Sequence, residues 1–512
     1  MKNSKEFSDL LDPVFQLVGG RTDSNFAWFI EKALEIIEQH PEILDRIETE
    51  QINHAKHKKL LRLKDKFWQQ NQQGTLGGID KPEVPEDVEE VELKTGRPRM
   101  APIVVYVFLM TRGYLGGVST REFQDFVRES TTLSVFLENI GESLPARSTI
   151  SEQLNCVSNE TRRRIHQAQL AVIYGEQLDD LERAIIDTTA VEADTKFPMD
   201  ASVILRLLKR IWKRGNKFKK LDNRLKNYRR HWTEFWLDKM KEIVFKLKNA
   251  NTNRKYKKWY RELYEVARKT REHLQKEIQK FDQRFEPKQF KPSLRKRISR
   301  MHNRNLEDLE SVKRVIEYSS RRVLEGKTTP ANQKVLSLTD KDAAFIKKGD
   351  REATIGYRPR LTRTGEGFVA DLQVPEGNRA DSDQLEEAVF SYYQNTGKFP
   401  EDVIADDGFA NQAQREEILD FEEVERVCIT GGKGKKMTPD EEWESEMYQQ
   451  MRKNRSAVES LIFSLKFGFS FGRLARRGIE AVRAELLEDI LAYNINHMIY
   501  LQRRADKVPR SA

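Results

Sequence analysis

Three acidic residues, Asp187, Asp406 and Glu459, are far apart in the chain, and each stands where a short element would present its carboxylate at the edge of one sheet. Asp187 closes the apolar run Ala184-Ile185-Ile186 and opens Asp187-Thr188-Thr189. Asp406 closes Val403-Ile404-Ala405 and opens Asp406-Asp407-Gly408-Phe409. A short apolar strand that stops at an acid followed by Thr or Gly exposes that acid where the backbone leaves the sheet. Hard divalent cations want oxygen ligands and open positions, and carboxylates from separate elements supply both. Glu459 belongs to the pattern R-x3-E-x6-K made by Arg455, Glu459 and Lys466. On a helix this spacing puts one acid and two cations near a single face, a stripe suited to a metal and to phosphate.

With these residues in place, the chain resembles the DDE transposases of bacterial insertion sequences. Their last acid lies in Y-x2-R-x3-E-x6-K. Arg455, Glu459 and Lys466 match, and Arg452 stands where the Tyr would be. Asp187-Thr188-Thr189 with Pro198 and Asp200, the run 355–363 before Gly367-Phe368-Val369-Ala370, and Pro375-Glu376-Gly377-Asn378 with Asp381 are further matches. So are Ala405-Asp406-Asp407-Gly408-Phe409 and the tail Arg477-Gly478-Ile479-Glu480 with Leu491-Ala492-Tyr493-Asn494. The resemblance covers 181–200 and 335–500, with a weaker likeness at 100–155. It implies an RNase H-like catalytic core in which Asp187, Asp406 and Glu459 are catalytic metal ligands. Two Mg²⁺ ions are the implied cofactor, with Mn²⁺ as a substitute.

Taken singly, each acid has a plainer reading. A lone Asp at a strand end is usually a turn former or helix cap, and a Glu one helical turn after an Arg is usually a solvated ion pair. It is their joint order and context that point to catalysis. Asp407, Asp194, Asp200 and Glu192 are the local alternatives, and Asp406 is preferred to Asp407 because it continues the strand and stands two residues before Gly408.

The elements around these residues fall into blocks. Residues 1–95 read as a helical region, with apolar spacing of three and four over 26–40 and 43–69, followed by an acidic linker over 74–92. Residues 96–180 read as helical again, and the Ser119 to Glu122 capping signal opens one short helix. Short capped helices suit a helix-turn-helix DNA-binding domain and an ordinary bundle equally. Residues 181–200 hold the first strand of the core, 335–500 the rest of it, and 501–512 a tail. Over 335–500 the pattern gives strands at 353–358 and 368–373 around a turn at 364–367. A helix at 382–396, a strand at 402–405, a helix at 411–419 and a strand at 424–430 follow. The expected fold is therefore an α/β RNase H-like core, a mixed five-stranded sheet with flanking helices, interrupted by a long basic helical insertion and preceded by an all-helical region.

Residues 201–334 are that insertion, read as helices near 201–248, 255–284 and 292–325. From 201 to 330 there are 39 Lys and Arg against 15 Asp and Glu, a net +24, so the remainder carries −15 within the overall +9. A basic excess confined to a quarter of the chain is the footprint of a polyanion binder. Trp212, Trp232, Trp236 and Trp259 interleave with these charges at helical spacing and read as a packing seam. The glycine- and lysine-rich run 431–436 lacks P-loop spacing and reads as a flexible basic loop, with Lys433 and Lys435 as further phosphate contacts beside Arg455 and Lys466.

Two cysteines exclude a disulfide framework and a cysteine zinc site. No apolar stretch reaches the length of a membrane span, and no signal-peptide pattern follows Met1. The expectation is a cytoplasmic bacterial protein, associated with the nucleoid when acting, that cleaves and joins DNA at terminal inverted repeats and inserts it into target duplex as a homodimer. The alternatives are an RNase H-like nuclease or resolvase without strand transfer, and a non-catalytic DNA-binding derivative of a transposase.

Overall fold

The computed structural model describes residues 24–72, 87–93, 99–194, 200–222, 225, 230–327, 334–347 and 353–507. Residues 74–86 of the linker expected over 74–92, and Pro198, lie outside the described residues. The chain divides into two units: 1–54 with 96–194 and 346–512, and 55–95 with 195–345.

The first unit is built on a five-stranded sheet. Its strands are β1 (Arg183–Thr188), β2 (Arg360–Arg363), β3 (Val369–Gln373), β4 (Asp402–Ala405) and β5 (Arg426–Ile429). Their spatial order is β3-β2-β1-β4-β5. β1 runs antiparallel to β2 and parallel to β4, β2 pairs antiparallel with β3, and β4 pairs parallel with β5.

Alternation along the strands assigns the two faces. Ile186, Val403, Ala405, Val427 and Ile429 pack with Leu385, Val389 and Ile418 of the helices Leu385–Thr396 and Gln412–Leu419. Ile185, Ile404 and Cys428 face the other way and pack with Tyr448, Met451 and Val458 of the helices Glu446–Asn454 and Ser456–Gly468. At the β3 side, Ala184, Phe368 and Ala370 join a large helical core. That core is fed by Ser24–Gln39, Pro102–Leu115, Asn159–Gly175 and Ile479–Lys507. Ser119 caps Thr120–Glu129 with the anticipated reciprocal bonds to Glu122. No single helix among the described residues is long and apolar enough to cross a membrane.

Three expectations are corrected. The strand expected over 353–358 does not pair with 368–373; Thr354–Tyr357 instead pairs with Val191–Glu192, and the sheet partner of β3 is β2. Pro359 separates the two stretches because it has no N–H to continue a ladder. Gly356 permits the small sheet, since a Cβ there would lie 1.8 Å from the Val191 carbonyl oxygen. The helix expected over 201–248 is two helices, Asp200–Leu221 and Arg230–Lys248. The run 431–436 is not a loop: Gly431–Met437 is a helix, with the Asp407 carboxylate accepting from the N–H groups of Lys433 and Gly434 at its first turn.

The second unit contains these two helices with Asn253–Arg284 and Pro292–Glu325, packed around Leu208, Ile211, Met240, Leu263, Ala267, Val312 and Val315. Trp212, Trp236 and Trp259 lie half-buried against this core, as a seam requires; the Trp232 side chain is outside the described residues.

Candidate active site

Strand alternation and register bring the two aspartates together. Asp187 lies two residues beyond Ile185 and Asp406 two beyond Ile404, so both emerge on the face covered by Ser456–Gly468. Ile186 is in register with Ala405, so the next residues on the two parallel strands are Asp187 and Asp406. Both stand at the carboxyl ends of adjacent strands, where open α/β sheets place their ligands.

Glu459 reaches the same place from the helix. Val458, Leu461 and Leu465 are its buried stripe, and this turns Arg455, Glu459 and Lys466 toward the strand ends. Arg455 is the centre of the arrangement. Its Nη2 lies 3.1 Å from Asp187 Oδ2 and 3.6 Å from Asp406 Oδ2, and its Nη1 pairs with Glu459. Asp187 is buried, Asp406 half-buried and Glu459 exposed; Asp187 and Glu459 line a cleft of about 490 Å³, and Asp406 is joined to them through Arg455. Thr188, Thr189, Ile462, Phe463, Lys466 and Phe467 also line it. Lys466 donates to the carbonyl oxygen of Ala190 at 3.0 Å.

Local bonds fix the aspartates. Asp187 Oδ1 accepts from its neighbour Thr188 N–H at 2.7 Å, and Asp406 Oδ1 from Gly408 N–H at 2.9 Å. Gly408 must be small: a Cβ would come within 2.9 Å of Asp406 Oδ1 and 3.1 Å of Asp381 Oδ2. Asp407 is engaged at the Gly431–Met437 helix, which separates its role from that of Asp406. Of the other nearby acids, Asp194 pairs with Arg477, and Asp200 pairs with Arg322 in the second unit.

Two residues next to the triad were not singled out as site residues by sequence reasoning. Thr188 Oγ1 donates to Asp381 Oδ1 at 3.1 Å and accepts from Arg358 Nε at 3.2 Å, and Arg358 forms an ion pair with Asp381. This pair, with Asp381 buried and Arg358 half-buried, braces the strand end that carries Asp187. The signal in the sequence was the resemblance alone: Asp381 is among its motifs, and Arg358 lies within the matched run 355–363. Arg452, at the position of the missing Tyr, sits over Trp443 with its guanidinium carbon 4.1 Å from the ring centroid. Lys433 and Lys435 are exposed on their helix and are not among the residues lining the cleft.

Among the described residues no group of three or more His, Cys, Asp or Glu side chains is arranged to hold a metal ion by itself. The three acids instead converge on a guanidinium. Three carboxylates from separate elements sharing one cation are nevertheless the donor chemistry a hard divalent ion takes. Arg455 Nε is buried and makes no hydrogen bond among the described residues, so the guanidinium is not fully used where it sits.

A mixed α/β sheet with acids at its carboxyl edge, facing an Arg-Glu-Lys helix, defines the class to which comparison with known proteins can be put. Residues 341–495, a little under a third of the chain, match the family model described as the transposase DDE domain. This agrees with the resemblance over that segment: residues 341–495 are similar to a transposase DDE domain. The matched segment contains Asp406, Arg455, Glu459 and Lys466; Asp187 precedes it. No curated protein and no solved structure gives a significant match.

Proposed function

We propose that this protein is a DNA transposase that cleaves and rejoins phosphodiester bonds at the ends of an insertion sequence. The observation that carries the reading is the convergence of Asp187, Asp406 and Glu459 on Arg455 at the carboxyl edge of the sheet. The strand order β3-β2-β1-β4-β5, with β2 alone antiparallel to both of its neighbours, supports reading the core as RNase H-like and the basic helices after β1 as an insertion into it.

In this reading Asp187, Asp406 and Glu459 hold the divalent ions, Mg²⁺ or Mn²⁺. When bound, such ions activate an attacking oxygen and stabilise the leaving one in an in-line displacement. Arg455 releases the carboxylates and turns to a DNA phosphate, which its planar fork can grip with two hydrogen bonds. Lys466, one stripe along the helix, adds a point charge to the same strand. Lys433 and Lys435 are assigned to DNA outside the cleft. The partners are duplex DNA at the terminal repeats and at the target, with two copies of the chain needed to bring two ends together.

The test is cleavage and strand transfer on labelled duplex carrying the element's end, in Mg²⁺ and in EDTA, comparing wild type with Glu459→Ala. Nicking and joined products that need the metal and vanish in the variant support the reading. Nicking without joined products leaves a nuclease, and binding without either leaves a DNA-binding derivative.

A further inference from the structure

Asp381 touches both strand ends of the site without being one of its three acids. It opens a single helical turn, Asp381–Asp383, just ahead of the helix Leu385–Thr396. Its Oδ1 accepts from the Thr188 hydroxyl at 3.1 Å, and Thr188 is the residue whose N–H binds Asp187. On its other side Asp381 lies against Gly408, the residue whose N–H binds Asp406. A Cβ added at Gly408 would come within 3.1 Å of Asp381 Oδ2 and 3.6 Å of Asp381 Cβ. Arg358 closes the group. Its Nη2 pairs with Asp381 Oδ2 and its Nε donates to the Thr188 hydroxyl oxygen at 3.2 Å. Its Nη1 donates to Asn378 Oδ1 at 3.4 Å and to the carbonyl oxygen of Arg379 at 3.5 Å.

A buried carboxylate next to two metal-binding aspartates either takes a metal itself or holds the groups that do. Each oxygen of Asp381 already accepts from a donor, and one of those donors is a guanidinium that compensates its charge. Resting on the transposase reading, we propose that Asp381 and Arg358 are positioning residues. Acting through the Thr188 hydroxyl and the Gly408 turn, they set the separation of Asp187 and Asp406, and with it the affinity of the site for divalent ions. The need for such a brace follows from Arg455. Once that guanidinium turns from the acids to DNA, Asp187 and Asp406 are like charges on adjacent strand ends, and repulsion drives them apart unless something else fixes the backbone beneath them. Thr188 transmits the constraint because it binds Asp187 through its N–H and Asp381 through its side chain. Groups that hold metal-binding side chains in this way contribute roughly ten- to hundredfold in metal affinity.

The experiment uses the full-length protein and Mn²⁺ alone, with the free ion read by its electron paramagnetic resonance signal. Binding is compared for wild type, Thr188→Val, Thr188→Ser, Asp381→Asn and the combination of Thr188→Val with Asp381→Asn. Valine keeps the branched shape of Thr188 and removes its hydroxyl, whereas serine keeps the hydroxyl. The expected result is Mn²⁺ binding weakened about tenfold or more in Thr188→Val and in Asp381→Asn, and restored to near the wild-type value in Thr188→Ser. The combined variant should bind no more weakly than the worse single one, because both changes cut the same chain of contacts. Unaltered Mn²⁺ affinity in folded Thr188→Val, with only a lower melting temperature, overturns the proposal and leaves the group a structural one. Binding abolished in Asp381→Asn but untouched in Thr188→Val also overturns it, by making Asp381 a ligand. If Asp381→Asn fails to fold by circular dichroism, the contrast between valine and serine at 188 decides alone. Normal metal binding in the variants beside metal-dependent cleavage in wild type removes only the positioning role. A wild-type protein that neither binds Mn²⁺ nor cleaves DNA removes the transposase reading with it.

Discussion

Arg455 and Asp187 meet across a gap of 268 residues, with the guanidinium Nη2 3.1 Å from a buried carboxylate that also binds its own Thr188 N–H. The same nitrogen lies within ion-pair distance of Asp406, and the other terminal nitrogen holds Glu459. Without a divalent ion, Arg455 is therefore the positive charge that keeps three acids together. Arg455→Met should leave them facing one another uncompensated and lower stability, by less than the roughly 3–5 kcal/mol of a fully buried pair because Arg455 and Asp406 are only half-buried. Mg²⁺ should then raise the melting temperature of the variant more than that of wild type, because the cation no longer competes with the guanidinium. Thermal unfolding with and without Mg²⁺ measures both effects. An equal response in the two proteins would mean that the acids do not share one cation site.

Asp406 and Asp407 are neighbours with separate tasks, and single substitutions should part them. Asp407→Ala leaves the first turn of Gly431–Met437 without its acceptor, an N-cap loss of about 1 kcal/mol. Metal-dependent cleavage should persist. Asp406→Asn should keep the fold, since an amide oxygen can still accept from Gly408 N–H, and should abolish cleavage. Unfolding curves and a cleavage assay on both proteins decide the assignment; loss of activity only in the Asp407 variant would reverse it.

Much of this site could be read from the chain because strand alternation and helix spacing are local. The Ala184-Ile185-Ile186 and Val403-Ile404-Ala405 runs gave the strands that end at the acids, and R-x3-E-x6-K gave the helix face. What stayed hidden depends on contacts distant in sequence. Pro359 marks a break after the strand Thr354–Tyr357, but nothing local names the partner the strand takes instead. It leaves the main sheet because Val191–Glu192 offers it a partner and Gly356 allows the approach. The helix at 431–437 has poor intrinsic propensity, with Gly at 431, 432 and 434, and is held by Asp407 from outside. Arg358 likewise gains its role only from Thr188 and Asp381.

Gly356 itself gives a sharp structural test. Gly356→Ala would place a Cβ 1.8 Å from the Val191 carbonyl oxygen and 3.0 Å from Ala193 N, both backbone atoms that cannot swing aside. The small sheet must open, and the stretch after Asp187 loses its pairing. We expect a marked fall in thermal stability and in protection of the Val191–Glu192 amides from hydrogen exchange, with the five-stranded sheet retained. Unchanged protection at these amides would show that the pairing tolerates the extra carbon.

The packing of the helical core on the sheet should be sensitive to acid through His166. This side chain is buried, and its Nε2 lies 2.7 Å from the carbonyl oxygen of Val369 in β3, so the ring donates there in its neutral form. Burial pushes its pKa down to about 4, and Arg163 acts in the same direction. The unfolded chain, with an ordinary value near 6.5, binds the proton first, so the neutral ring's contribution is complete above about pH 6.5 and is lost as pH falls toward 4. The shift corresponds to about 3 kcal/mol. Burial raises the pKa of Asp371, Glu485 and Asp489, and these groups favour the folded state as pH falls, so total stability is not the right readout. The comparison is with His166→Gln, which keeps an N–H for Val369 and takes up no proton in this range. Urea unfolding at pH 7 and at pH 5 should show wild type losing more stability than the variant. Parallel losses would mean that the ring is solvated in the folded protein.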